Sequence, residues 1–227
     1  MNLFSFLFNL KHNMFSNNAT AEREHPVVQT IDKNLKLLCI ADTHSTLKEH
    51  QVQELNGVNY DACFLLGDIS HKDLQLLLPY LDTSKTYGVL GNHDDFGLLE
   101  NNGITNINMK TIDVNGVTIL GFQGSNRYKE GNYPMYTQEE AFDVLKDAPY
   151  ADILVSHDSS FEALATNSAH CGLKAIRGLL KEKGIPLHIH GHIHDRQQYF
   201  LDNGTSCICI YKAAIIETNP VSVRFLF

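Results

Sequence analysis

The chain has 227 residues, 43% hydrophobic and 19% charged, and its 26 acidic against 18 basic side chains leave a formal net charge of −8. That length suits one domain with a full core, and the acidic balance argues against extended nucleic acid as a partner, because a broad basic surface is missing. The five cysteines are odd in number, and Cys39, Cys63, Cys207 and Cys209 sit in apolar, strand-like runs, which argues against a disulfide framework and for reduced thiols in the cytoplasm.

The opening stretch "MNLFSFLFNL" carries Leu3, Phe4, Phe6, Leu7, Phe8 and Leu10. It has no cationic start and no small-residue cleavage site, and it is too short to cross a bilayer. The expectation is a packed or membrane-touching helix without stable membrane insertion. Residues 1–30 then divide into this apolar segment and a polar linker, and residues 31–227 form a single domain.

From Leu35 onward, near-continuous apolar runs end in polar residues: "LKLLCIAD" (Leu35–Asp42), "ACFLLGD" (Ala62–Asp68), "TYGVLGNHD" (Thr86–Asp94) and "DILVSHD" (Asp152–Asp158). Such runs read as strands buried on both faces, each followed by a helix-like segment. Helices are predicted over 46–55, 71–81, 138–147 and 173–183. Thr137 and Glu140 make a capping box before the third, and Gly184 with Pro186 ends the fourth. Asn115-Gly116 and Asn203-Gly204 mark hairpins, so the part after His194 reads as antiparallel. In "PLHIHGHIHDR" (Pro186–Arg196), His188, His190, His192 and His194 alternate with period two, which in a strand could set three of them on one face. The expected fold class is α/β, a mixed two-sheet β-sandwich flanked by helices.

Ligands of open α/β sheets collect beyond the carboxyl ends of strands, and the polar clusters of this chain fall there. The first strand runs into Asp42 and His44, the second into Asp68, the third into Asn92, His93 and Asp94. The next ends at His157, and the last parallel-type strand leads to His192 and His194. The set offers oxygen and imidazole and no thiolate, which suits Mn foremost, with Fe or Zn compatible. A single Asp-x-His pair means little, since about one is expected by chance in so His-rich a chain. Asp at a strand end is often a helix cap, and a buried His is often a packing residue. Those bland readings fail on the ordered set.

The order Asp42-Thr43-His44, Gly67-Asp68, Gly91-Asn92-His93-Asp94, His157 and Gly191-His192-Ile193-His194 resembles the motifs of the calcineurin-like metallophosphoesterase superfamily, over about residues 35–195. The resemblance implies two divalent metal ions. Asp42, His44 and His194 would hold one, Asn92, His157 and His192 the other, and Asp68 would bridge them. Such ions, about 3.5 to 4 Å apart, clamp a phosphate and supply a bridging hydroxide at neutral pH. His93 would stabilise the transition state or protonate the leaving oxygen. Asp94 would position His93, or else cap a helix. Gly191 would let the backbone turn close to the metals. His188 and His190 read as structural, and His12, His25, His50, His71 and His170 receive no role.

The second motif continues as "GDISHKD", without the arginine of the related protein phosphatases, and the chain has little room for added DNA-binding regions. A small phosphate ester remains, with a diester favoured over a monoester. The loop "GFQGSNRYKEGNYPMYTQEE" (Gly121–Glu140) offers Arg127 and Tyr128, beside Asn92, as substrate contacts. The alternatives are a phosphomonoesterase of the same mechanism and a non-catalytic scaffold of the same fold. The oligomeric state is left open.

Overall fold

The computed structural model describes residues 30–165 and 167–227; the apolar segment and linker expected at the N-terminus lie outside them, as do His12 and His25. The strands are β1 (Lys36–Ala41), β2 (Ala62–Leu65), β3 (Thr86–Gly88), β4 (Thr105–Asn106), β5 (Thr111–Val114), β6 (Val117–Phe122), β7 (Ser125–Asn126), β8 (Met135–Tyr136), β9 (Ile153–Ser156), β10 (Leu187–His190), β11 (Gln197–Phe200), β12 (Ser206–Cys209), β13 (Lys212–Thr218) and β14 (Val221–Phe225). The helices are α1 (Glu49–Val52), α2 (His71–Leu77), α3 (Gln138–Leu145) and α4 (Lys174–Lys183).

One sheet runs β14-β13-β1-β2-β3-β4 and the other β11-β12-β10-β9-β6-β5. Strands β1 to β4 are mutually parallel, as are β6, β9, β10 and β12. Strict alternation along these strands builds the layers. Leu37 and Cys39 of β1 meet Phe64, Ile153, Val155, Leu187 and Ile189 between the sheets. Leu38 and Ile40 turn outward to Val52, Leu74 and Leu77 on the side of α1 and α2. On the other sheet Leu120, Phe122 and Leu154 face Ala141, Leu145, Ile176 and Leu180 of α3 and α4. Both faces of each central strand are therefore apolar, as parallel strands require, and the mixed two-sheet sandwich with outer helices is the observed architecture.

The elements depart from the sequence reading at their edges. The first helix begins only at Glu49, because Thr46 turns back to the Thr43 carbonyl, and it tightens into a 3-10 turn at Gln53–Leu55. The second stops at Leu77 and continues as a 3-10 turn at Leu78–Tyr80, where Pro79 has no N–H to donate. The Asn115-Gly116 hairpin forms with both residues at positive φ, 53° and 82°. The Asn203-Gly204 loop joins β11 to β12, but β12 then pairs parallel with β10, so the C-terminal part is not wholly antiparallel. No helix among the described residues is long and apolar enough to cross a membrane.

Candidate metal centre

The parallel strands of the two sheets point their carboxyl ends to the same edge, and the loops beyond β1, β2, β3, β9 and β10 meet there. The backbone there is unusual. Asp42, His44, Asp68, His192 and His194 all have φ between 46° and 69°, a left-handed conformation that non-glycine residues seldom adopt. Strain of this kind persists only where surrounding structure enforces it, and it collects at functional sites. Two glycines permit the close approach. A Cβ on Gly191 would lie 2.5 Å from Asp42 Oδ2, and one on Gly91 would collide with Asp68 Oδ1. Gly191 is thus required by contact with Asp42 rather than by a turn.

Asp42, His44 and His194 bring their ligand atoms within 4.8 Å of one another, and Asp68, His157 and His192 do the same. In the first group the Asp42 Oδ2 atom accepts the His192 N–H at 2.7 Å. Its buried Oδ1 has no hydrogen-bond partner and lies 3.4 Å from His194 Nε2. The Nε2 atoms of His44 and His194 face each other at 2.9 Å. In the second group His157 Nδ1 donates to the Leu66 carbonyl at 2.8 Å, so the lone pair of the neutral ring is on Nε2, and that atom faces Asn92 Oδ1 at 2.9 Å. Two acceptors at hydrogen-bond distance call for a cation between them, a proton or a metal ion. Burial opposes charge on His157, but the Asp68 and Asp42 carboxylates outweigh it and lift its pKa.

Asp68 lies between the groups. Its Oδ2 is 3.7 Å from His44 Nε2 and 3.6 Å from His157 Nε2, while its Oδ1 accepts the His93 N–H at 2.8 Å. His192 Nε2 donates to the Ala169 carbonyl at 3.0 Å, which leaves Nδ1 as its lone-pair nitrogen. Donor chemistry, the orphaned Asp42 oxygen and the paired acceptors all fit a dinuclear divalent metal site.

Around this centre the sequence expectations divide. The exposed His93 ring stands in the mouth, 5.6 Å from His44 and with Nε2 3.3 Å from the Tyr128 hydroxyl. Partial burial lowers its pKa despite the neighbouring Asp68 carboxylate. The Tyr128 hydroxyl also accepts from Asn92 Nδ2 at 2.9 Å, which turns the Asn92 carbonyl oxygen to His157. The Arg127 guanidinium pairs with Glu140 at 2.8 Å and donates to the Met135 carbonyl, so it braces α3. Asp94 Oδ2 accepts the N–H groups of Asp68 and Gly91 at 2.8 and 2.7 Å, so it ties the β2 loop to the β3 loop. Burial and the Asp68 charge push its pKa up to about 7.

The histidine run divides as well. Only His188 and His190 belong to β10; they stack with ring centroids 5.0 Å apart on its outer face, where His190 meets the Tyr199 hydroxyl at 2.8 Å. His192 and His194 leave the strand by their left-handed turns. His170, given no role in the sequence reading, has its ring 4.8 Å from that of His192. It sits in the loop between β9 and α4, where neither periodicity nor a strand end marks it.

A protein of Methanocaldococcus jannaschii described as uncharacterised is 27% identical over 181 residues, 72% of this chain and 82% of its own length. Among solved structures, a protein of Thermus thermophilus is similar with a TM-score of 0.59 at 13% identity, over 85% of this chain and 99% of that one. A dimetal phosphatase from Danio rerio is similar with a TM-score of 0.55 at 12% identity, over 80% and 92%. At such identities the two structures show a shared fold. The family model of the calcineurin-like phosphoesterases matches residues 35–196, a span that contains every strand-end residue named above, and the chain accordingly belongs to that family of metal-dependent phosphoric ester hydrolases.

Proposed function

We propose that this protein hydrolyses a small phosphate ester, a phosphodiester in preference to a monoester, using two divalent ions of which manganese is the foremost candidate. Asp42, His44 and His194 hold one ion, Asn92, His157 and His192 the other, and Asp68 is shared. The observation that carries this reading is the place of Asp68 Oδ2, 3.7 Å from a ring nitrogen of one group and 3.6 Å from one of the other. When bound, two such ions polarise a phosphoryl oxygen and make hydroxide available at neutral pH. The chain's own groups do the rest. Asp94 holds the Asp68 backbone by its N–H, the His93 N–H fixes the Asp68 carboxylate, Tyr128 turns the Asn92 amide, and the His93 ring donates a proton to the leaving oxygen. The description of the Danio rerio protein as a dimetal phosphatase is in keeping with this chemistry. The five cysteines are all unpaired, in keeping with a cytoplasmic protein.

Hydrolysis of bis-p-nitrophenyl phosphate and p-nitrophenyl phosphate by manganese-loaded protein tests the reading, beside Asp68→Asn and His93→Ala. Both variants should lose about a thousandfold or more in kcat/KM for the diester, and only Asp68→Asn should lose bound metal. Protein that binds two ions and cleaves neither ester would sink it.

A further inference from the structure

The turn by which His192 leaves β10 is a single tight one. The Ile193 N–H donates back to the Gly191 carbonyl at 2.9 Å across His192, whose φ is 69°. A γ-turn with positive φ at its centre is rare and strained, so neighbouring groups must hold it in place. The peptide between Gly191 and His192 is held at both ends. Its N–H donates to Asp42 Oδ2 at 2.7 Å, the contact that leaves Oδ1 of that carboxylate facing the His194 ring. Its carbonyl oxygen meets His190 Nδ1 at 2.9 Å and, more loosely, Cys209 Sγ at 4.0 Å.

His190 is itself fixed. A carbonyl oxygen only accepts, so Nδ1 carries the proton, and the lone pair on Nε2 of the neutral ring takes the Tyr199 O–H at 2.8 Å. The buried ring also lies against that of His188, their centroids 5.0 Å apart, and His188 Nε2 in turn meets Ser156 Oγ on β9 at 2.7 Å. A line of donors thus runs from Tyr199 on β11 through His190 to the peptide that joins His192 to Asp42.

We infer that His190 is a positioning residue of the metal centre: its Nδ1–H fixes the Gly191–His192 peptide, and through that peptide both the His192 ring and the Asp42 carboxylate. The inference rests on the proposed ligand set and gives a buried histidine outside that set a part in metal binding.

Full-length protein is compared with His190→Asn, His190→Gln, His190→Leu and Tyr199→Phe. The Asn amide places a donor where Nδ1–H stands, the Gln amide reaches instead towards Tyr199, and Leu has no donor. Phe at position 199 keeps the ring and removes only the O–H. The readouts are manganese affinity by calorimetric titration and urea unfolding of the metal-free proteins. Leu and Gln should bind manganese about tenfold more weakly, the loss typical when a group that orients a metal ligand is removed, and Asn should restore most of the affinity. Tyr199→Phe should weaken manganese binding by a smaller factor. Wild-type manganese affinity in His190→Leu and His190→Gln would reduce His190 to packing and overturn the inference while leaving the phosphoesterase reading intact. So would affinities that fall in step with metal-free stability, with no rescue by Asn. If wild-type protein binds two manganese ions and cleaves neither ester, the phosphoesterase reading alone fails; if it binds none, both fail.

Discussion

Asp94 shows how a single carboxylate organises this site from behind. It accepts two buried N–H groups, those of Asp68 and Gly91, and no other residue replaces it. Asp94→Ala should therefore cost about 2 to 4 kcal/mol of stability, the penalty for leaving buried donors unpaired, and Asp94→Asn, which keeps an acceptor oxygen, clearly less; urea unfolding of the three proteins decides. His188 makes a different prediction. Ser156 Oγ donates to the Asp158 carbonyl, so it accepts from His188 Nε2 at 2.7 Å, and the ring is neutral. Burial, with the His190 ring beside it, holds its pKa well below the usual value, and burial brings His190 down to about 4. Below the unfolded-state value near 6.5, the unfolded chain binds protons that the native state refuses. Stability should thus be lost as pH falls from about 6.5 towards 4, by about 1.4 kcal/mol per unit for each group. Unfolding midpoints at pH 7.5 and pH 5 should lie closer together in His188→Gln than in the wild type.

Strand β10 is where one element serves two layers. Leu187 and Ile189 fill the core between the sheets, while His188 and His190 face the outer side. Ile189→Ala should destabilise the protein by about 2 to 4 kcal/mol through the cavity it leaves, measured by urea unfolding, without altering metal content. The alternation of this strand was readable from residue types, and so was the Thr137–Glu140 capping box that opens α3. The limits of α1 and α2 were not. They are set by the Thr46 turn and by Pro79, local events that a hydrophobic period cannot register.

The two sheets matter to the site because each supplies part of it: β1, β2 and β3 deliver Asp42, His44, Asp68 and Asn92, and β9 and β10 deliver His157, His192 and His194. A metal pair held by the proposed ligands would cross-link the two halves of the sandwich. Protein loaded with metal to about a thousandfold over its dissociation constant should gain about 4 kcal/mol, so chelation should lower the melting temperature by several degrees. Scanning calorimetry before and after chelation checks this, and an unchanged melting temperature would mean that the metals do not bind the native fold. The N–H···O links from Gly191 to the His157 carbonyl and from Asp42 to the Gly67 carbonyl already tie neighbouring strand ends together within each sheet.

Residue types and their order were enough to read the α/β sandwich and to nominate the strand-end residues that the fold brings together, because burial on both faces and oxygen or imidazole donors leave a signature in local pattern. The neighbours of Arg127, Asp94 and His170 were decided only in three dimensions. Arg127 lies one residue from Tyr128 in sequence, yet the helix it braces turns it to Glu140. Asp94 lies next to His93, yet its partners come from its own turn and from the neighbouring strand end. His170 is more than twenty residues from His192, and the folding of a loop over the strand ends sets the two rings in contact. Which side chains a loop brings together depends on chain closure and packing across distant segments, and no local period encodes that.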